Sequence, residues 1–216
     1  MGTVFYLANQ DNDILNNFKY AIFLEMLGND NNFALQESFS GKSLIDKAAH
    51  HYFKHNFPEY NSAKFRKIVG NDETVWEAPG YEIPCISLSR WPYPEYHSNK
   101  DNENIISEER LEESAQAILD ITKILDTNTT IKRHFNGLVA LSNPKYDLYI
   151  STFDPSIRTT ISDKQKNWNY LVDCIIRYFD EKITILDIAN KHNLDYFEVY
   201  SYVKKFEEKG LISFTF

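Results

Sequence analysis

Two positions in this sequence stand out for the chemistry their side chains could do. Glu25 is a carboxylate inside an almost unbroken apolar run, FKYAIFLEML (18–27), which ends in GNDNN. A charge in a strand buried on both faces is costly unless it is paired or holds a metal. The turn that follows would put it at the strand's carboxyl end, where open α/β sheets bind ligands. His97 lies in RWPYPEYHSNKDN (90–102), a stretch with neither helical nor strand period, just after the apolar run YEIPCISLS (81–89). Neutral imidazole is the commonest metal ligand. Asp101 stands close enough in sequence to orient it, and Tyr96 could donate a hydrogen bond to a developing oxyanion. The plainer readings are a strand end that reaches water and a surface-loop histidine.

Other groups offer less. His51 and His55 have the i, i+4 spacing of a metal pair on one helix face, but no glutamate accompanies them as in HExxH, and the helix reads as sheet cover. Cys85 could pair with a histidine as a nucleophile; its apolar setting reads instead as a buried structural thiol.

The elements that must position these groups read as an α/β domain. FALQESF (33–39) predicts a second strand after the 18–27 run, and FRKIVG (65–70) a third. Pro84 interrupts the 81–89 strand. Residues 43–57 carry apolar side chains at 44, 45, 48, 49, 52 and 53, a helical stripe that Ser43 caps and Pro58 ends. NDETVWEAPG is a short polar helix or loop. Residues 106–126 form the clearest helix, with Leu111, Ala115, Ile118, Ile121 and Leu125 as its apolar face and Ser107 as its cap. Residues 4–8 suggest a short buried helix. Alternation of β and α elements predicts a largely parallel sheet. Residues 131–152 look like a small β-hairpin or a pair of short strands, with NG and NP supplying the turns. From about 160 the pattern is helix, helix, turn, helix, strand, which is a winged-helix order. Thr184 with Asp187 forms a capping box, Asp195 with Glu198 opens the last helix, and Gly210 closes it.

The 216-residue chain is 43% hydrophobic, 15% aromatic and 25% charged, with net charge -8. That balance speaks against nucleic acid and anionic membranes as partners. Residues 159–216 hold eight Lys/Arg and nine Asp/Glu, so the winged helix lacks a basic stripe and a protein partner suits it better. Two distant cysteines, Cys85 and Cys174, fit a reducing compartment. No signal-peptide pattern is visible at the start, and the longest apolar run is too short to span a bilayer, so a cytoplasmic location is expected.

Four stretches together carry a resemblance: EMLGND (25–30), GNDETVWEAPGYEIP (70–84), SLSRWPYPEYHSNKDN (87–102), and ILDIANKHNLDYFEVYSYVKKFEEKGLI (185–212). The sequence resembles, over nearly its whole length, the carboxyl-terminal half of the aminopeptidase-like zinc peptidase proteins. That family carries a C-terminal winged helix and is related to the di-zinc aminopeptidases and glutamate carboxypeptidases. The resemblance implies a partial zinc-aminopeptidase-like mixed sheet with flanking helices (1–128), a small β segment (129–158) and a winged helix (159–216). It implies that Glu25 ligates one zinc and His97 the other. Tyr96 would stabilise the tetrahedral intermediate, Asn71 and Asp72 would line the substrate pocket, and Asp101 would play a supporting part. The first histidine, the bridging aspartate and the Glu-Glu pair that includes the general base have no counterpart here. The expectation is therefore a peptide or amide hydrolase fragment that binds zinc weakly or not at all by itself. Its partner would be an amino-terminal half or a second copy.

Overall fold

A computed structural model describes residues 2–150 and 162–215. The chain divides between Leu125 and Asp126 into two compact units.

The first unit opens with helices α1 (Gly2–Ala8) and α2 (Asn12–Leu15), then strands β1 (Ala21–Leu24) and β2 (Phe33–Gln36). Helix α3 (Leu44–Asn56) follows, then β3 (Asn61–Ala63), α4 (Glu73–Trp76), β4 (Cys85–Arg90) and the long α5 (Glu108–Thr127). The sheet order is β1-β4-β2-β3. β1 runs parallel to β4 and β2 parallel to β3, but β2 and β4 are antiparallel. The sheet is thus mixed, as the resemblance implies, and not the largely parallel one that the β and α alternation predicts. β2 and β4 lie at its centre and are buried at every residue.

Helix α3 begins where its sequence dictates. Ser43 is the N-cap, and Asp46 returns the bond in a complete capping box. The Asp46 carboxylate, itself buried, also accepts the Ser38 backbone N–H at 2.8 Å, so it ties the end of β2 to the helix start. The inner face of α3 packs Ile45, Ala48, Ala49, Tyr52 and Phe53 out of water. Phe53 meets Phe33 of β2 at a ring distance of 5.0 Å.

Several expectations are corrected. The 18–27 run yields only a four-residue strand, and it lies at the sheet's edge with Leu24 43% exposed, not buried on both faces. Residues 65–70 are not a strand; β3 comes earlier, at 61–63. Pro84 does not interrupt β4 but immediately precedes it, where its missing N–H costs no ladder bond. In α1 only Leu7 is buried. In α5 the buried row is Ser114, Ala117, Ile121 and Ile124, while Leu111 and Ala115 are exposed. The helix is rotated because the Ser114 hydroxyl turns inward to donate to the Leu27 carbonyl at 3.1 Å.

The second unit contains β5 (Thr130–Arg133), α6 (Asp163–Cys174) with a 3-10 turn to Tyr178, and β6 (Asp180–Thr184). Then come α7 (Ile185–His192), α8 (Tyr196–Glu208) and β7 (Ile212–Thr215). The strands form an antiparallel sheet in the order β6-β5-β7. The hairpin expected over 131–152 is absent up to residue 150: β5 pairs with distant strands, and 134–150 hold only turns. Its last residues lie outside the described ones. Local chemistry again sets the helix ends. Thr184 and Asp187 form a capping box, Asn193 takes the left-handed conformation at φ 50°, and Asp195 accepts from the N–H groups of Phe197 and Glu198.

His192, at the end of α7, is 4% exposed. Its Nε2 meets the Tyr178 hydroxyl at 2.9 Å, while its Nδ1 is buried without a partner. Burial, and then the Lys191 charge, hold its pKa below the ordinary histidine value. A lowered folded pKa means that protonation opposes folding. The contribution of neutral His192 is complete above the unfolded value of roughly 6.5 and is lost as pH falls through the lower folded value. The protection of α7 amides, taken relative to the intrinsic exchange rate at each pH, should therefore weaken as the pH is lowered below about 6.5. His192→Gln should flatten that dependence; an unchanged slope would assign it to another group.

Candidate functional site

The carboxyl ends of β1 and β4 lie side by side, because the two strands are parallel and in register from Ala21/Cys85 to Leu24/Leu88. β1 delivers Glu25, whose backbone N–H continues the ladder to the Leu88 carbonyl at 3.2 Å. The chain then turns sharply. Met26 adopts a left-handed φ of 54°, and Gly28 packs so tightly that a Cβ there would stand 2.9 Å from Ile106 Cγ2. The Gly28 carbonyl accepts the Ser107 N–H at 2.8 Å, which fastens this turn to the start of α5.

Glu25 and Asn71 come together across 46 residues of sequence: Asn71 Nδ2 donates to Glu25 Oε2 at 2.6 Å. The other oxygen, Oε1, is buried and has no partner. Burial pushes the Glu25 carboxyl above its ordinary range; the Asn71 bond opposes that, and nearby Glu73 adds to it. Asn71 is itself held from behind, since its backbone N–H donates to both carboxylate oxygens of Glu73 at 3.0 and 2.8 Å. Glu73 is 1% exposed and also accepts from Gln36 Nε2 at 3.4 Å. Gln36 in turn accepts the Ile68 N–H at 3.0 Å. A chain of buried polar groups thus fixes Asn71 against Glu25. Asp72, next to Asn71, accepts a hydrogen bond from the Thr3 hydroxyl.

A carboxyl raised on folding stabilises the protein at low pH, and that contribution is lost as pH rises through the folded value. Charged Glu25 is therefore a burden at neutral pH. Glu25→Gln is expected to raise the urea midpoint at pH 7, with the difference vanishing once the pH falls below the ordinary glutamate range. Equal midpoints at pH 7 would show that the half-buried charge costs nothing.

The loop after β4 is built on aromatic rings. Trp91, Tyr93 and Tyr96 meet edge to face in a closed triad, with centroid distances of 5.9 Å (Trp91–Tyr93), 5.3 Å (Trp91–Tyr96) and 5.6 Å (Tyr93–Tyr96). His97 stacks on Tyr96 at 3.9 Å, is exposed, and sits at a left-handed φ of 58°. Asp101 accepts the Tyr93 hydroxyl at 3.0 Å. Tyr93 is buried, and burial with the Asp101 bond pushes its phenol up to about 12. The field of Glu25 also acts on Tyr93, which links the Glu25 end of β1 to this loop. A cavity of about 350 Å³ opens between the 26–29 turn, Tyr93, Asp101 and the apolar side chains Ile105, Ile106 and Leu111.

Composition and spacing did not single out Tyr93, Glu73, Gln36 or Arg90. Arg90 ends β4 and is 3% exposed. Its guanidinium donates to the carbonyls of Leu27 (3.0 Å) and Asn31 (2.9 Å), pairs with Glu113, and lies 3.9 Å over the Phe33 ring. Asn29 answers by donating to the Arg90 and Met26 carbonyls at 3.1 and 2.8 Å. The turn that follows Glu25 is thus held by a buried arginine. A cation closing an apolar strand, with turn carbonyls to receive it, was the available signal.

Among the other candidates, the His51 and His55 rings lie 4.6 Å apart. His50 instead bridges the Tyr60 hydroxyl (2.9 Å) and Glu37 (3.3 Å). Cys85 is buried, and burial with the carboxylates of Glu77 and Glu73 pushes its thiol up to about 12, so it is no nucleophile at neutral pH. Both cysteines are free.

Residues 1–128 match the family described as a domain of unknown function, DUF4910. The chain belongs to that family. No curated protein matches this DUF4910 chain. Among solved structures it is similar to a putative peptidase from Clostridium acetobutylicum, with a TM-score of 0.73 and 20% identity over 95% of this chain and 44% of that one. Smaller likenesses reach an aminopeptidase from Aneurinibacillus sp. strain AM-1 (TM-score 0.48, 17% identity, 57% of this chain and 29% of that one). They also reach BSAP, a zinc aminopeptidase from Bacillus subtilis (TM-score 0.46, 16% identity, 57% and 32%). The DUF4910 chain spans less than half the length of the C. acetobutylicum protein, whose fold it shares. No helix among the described residues is long and apolar enough to cross a membrane.

Proposed function

We propose that the chain is the carboxyl-terminal portion of a zinc-dependent, aminopeptidase-like amide hydrolase, and that by itself it does not hydrolyse peptides. The observation that carries this reading is Glu25. A carboxylate with one oxygen buried and unpartnered, the other clamped by Asn71, stands at the carboxyl end of β1. That is where α/β sheets place their ligands. The shared fold with the C. acetobutylicum protein supports the class of chemistry. Zinc enters through the sequence resemblance.

The residues present fall short of a zinc site. A catalytic zinc takes three protein ligands and leaves one position open. The resemblance gives Glu25 and His97 to different metals, and among the described residues no group of three His, Cys, Asp or Glu stands close enough to hold an ion. No catalytic step is therefore assigned to this chain alone. In the complete site Tyr96 would serve as the oxyanion donor, with Asn71 and Asp72 lining the substrate pocket and Asp101 supporting through Tyr93. We read residues 159–216 as a winged helix, following a small β segment, that contacts protein rather than DNA, in keeping with its eight Lys/Arg against nine Asp/Glu. The chain's two free cysteines fit a cytoplasmic, reducing compartment, and the site's co-ligands would come from an amino-terminal half, in the same polypeptide or in trans.

The test is hydrolysis of aminoacyl chromogenic substrates by the purified chain with added zinc. No turnover above the zinc-only background is expected. Zinc-dependent turnover abolished by His97→Ala would overturn the inactivity.

A further inference from the structure

β1 is written for the middle of a sheet and found at its rim. Its sequence, AIFL within FKYAIFLEML, has the continuous apolar character of a strand covered on both faces. In the structure none of its four residues is fully buried, and Leu24 is 43% exposed. Among the described residues its outer edge pairs with no strand. The backbone shows which groups are left over. Ala21 N–H bonds to the Pro84 carbonyl and Glu25 N–H to the Leu88 carbonyl, so alternate residues of β1 face β4. Ile22 and Leu24 direct their N–H and C=O groups at the open edge.

The uncovered surface extends beyond the strand. Val4, Phe5 and Tyr6 of α1 are 49%, 72% and 46% exposed. α1 is anchored on this side of the sheet: Tyr6 lies 6.3 Å from Phe18, Phe18 lies 5.3 Å from Trp76 of α4, and Thr3 bonds to Asp72. Exposed apolar side chains on a helix and an unpaired apolar strand in one region mark an interaction surface. Edge strands that stay exposed are ordinarily blunted by lysine or proline, and β1 has neither.

We propose that the β1 edge and the exposed apolar side chains of α1 form a docking surface for one occupant. That occupant is the strand-bearing polypeptide corresponding to the part of the C. acetobutylicum fold that this chain does not span, adding a strand to β1. The proposal rests on the peptidase-like reading for the occupant's identity. The fold likeness argues for it: 95% of this chain is accounted for by 44% of that protein, which leaves more than half of the larger chain to be placed against this one. A second copy is disfavoured by the net charge of -8, which two identical chains would bring together. The site gains from the docking, because the added strand would end beside Glu25, whose Oε1 lacks a partner.

The experiment places a photo-crosslinking amino acid at Ile22 or Phe5 of the full chain, expressed in the cells that naturally make it, with a third probe at Lys123 as control. Crosslinked products are identified by mass spectrometry. Expected is a peptidase-like polypeptide segment joined to the Ile22 and Phe5 probes and absent from the Lys123 probe. Leu24→Pro removes an outward N–H and fixes φ at a position that an edge strand tolerates, and Leu24→Lys puts a charge on the edge. Each should cut the yield at Phe5 about tenfold while the chain keeps its circular-dichroism spectrum. Crosslinks to a second copy, to an unrelated protein, or to nothing would overturn the proposal, as would undiminished yield in both Leu24 variants. The captured complex is then assayed for hydrolysis with zinc: an inactive complex leaves the docking standing and sinks the hydrolase reading.

Discussion

Arg90→Ala is expected to destabilise the first unit by about 3–5 kcal/mol, the range for breaking a buried charge network by removing one partner. That is a large part of what a domain of this size has to lose. The substitution orphans the Asn31 carbonyl, leaves the Leu27 carbonyl to the Ser114 hydroxyl alone and Glu113 to Arg110, and empties the space over Phe33. Lysine should not rescue it, because the three N–H bonds of an ammonium radiate from one atom and cannot span partners that Arg90 reaches from three separate nitrogens. Arg90→Met with Glu113→Leu should recover part of the loss, since it removes both charges and keeps the volume. Urea unfolding of the four proteins gives the comparison. A single variant that loses under 1 kcal/mol would mean that the turn after Glu25 holds itself. The same arginine ties this stability to the site, because the turn it holds is the one that leaves Glu25.

The second large effect falls in the other unit. Phe206→Ala should cost about 3–5 kcal/mol, as for other buried phenylalanines. Phe206 is fully buried and meets Phe179 at 5.2 Å and Tyr202 at 5.3 Å. A unit this small has little core to spare. The expected result is loss of exchange protection through α7, α8 and the β5–β7 sheet. Phe206→Leu should retain much of it, because the lost volume is smaller. Protection unchanged in the alanine variant would show that the cavity collapses at little cost.

The site was partly legible before any coordinates. Glu25 drew notice because a carboxylate in an apolar run needs a reason, and it does lie at the end of β1. Asn71 entered only through the resemblance, since an asparagine 46 residues away offers no local sign of contact. Glu73 and Gln36 were invisible for the same reason. Each is an ordinary polar residue until the fold buries it.

What the sequence by itself determined is what arises within a few residues. Ser43 with Asp46, Thr184 with Asp187, and Asp195 ahead of α8 all cap helices where expected, because a cap needs only a side chain within reach of N–H groups two or three residues on. The amphipathic face of α3 follows equally from its period. The tertiary structure alone decided the rest. It placed β1 at the rim, rotated α5 so that Ser114 rather than Ala115 faces inward, and joined β5 to β6 and β7 from far along the chain. An apolar run says that a strand needs cover, but pairing across dozens of residues decides whether this chain supplies it.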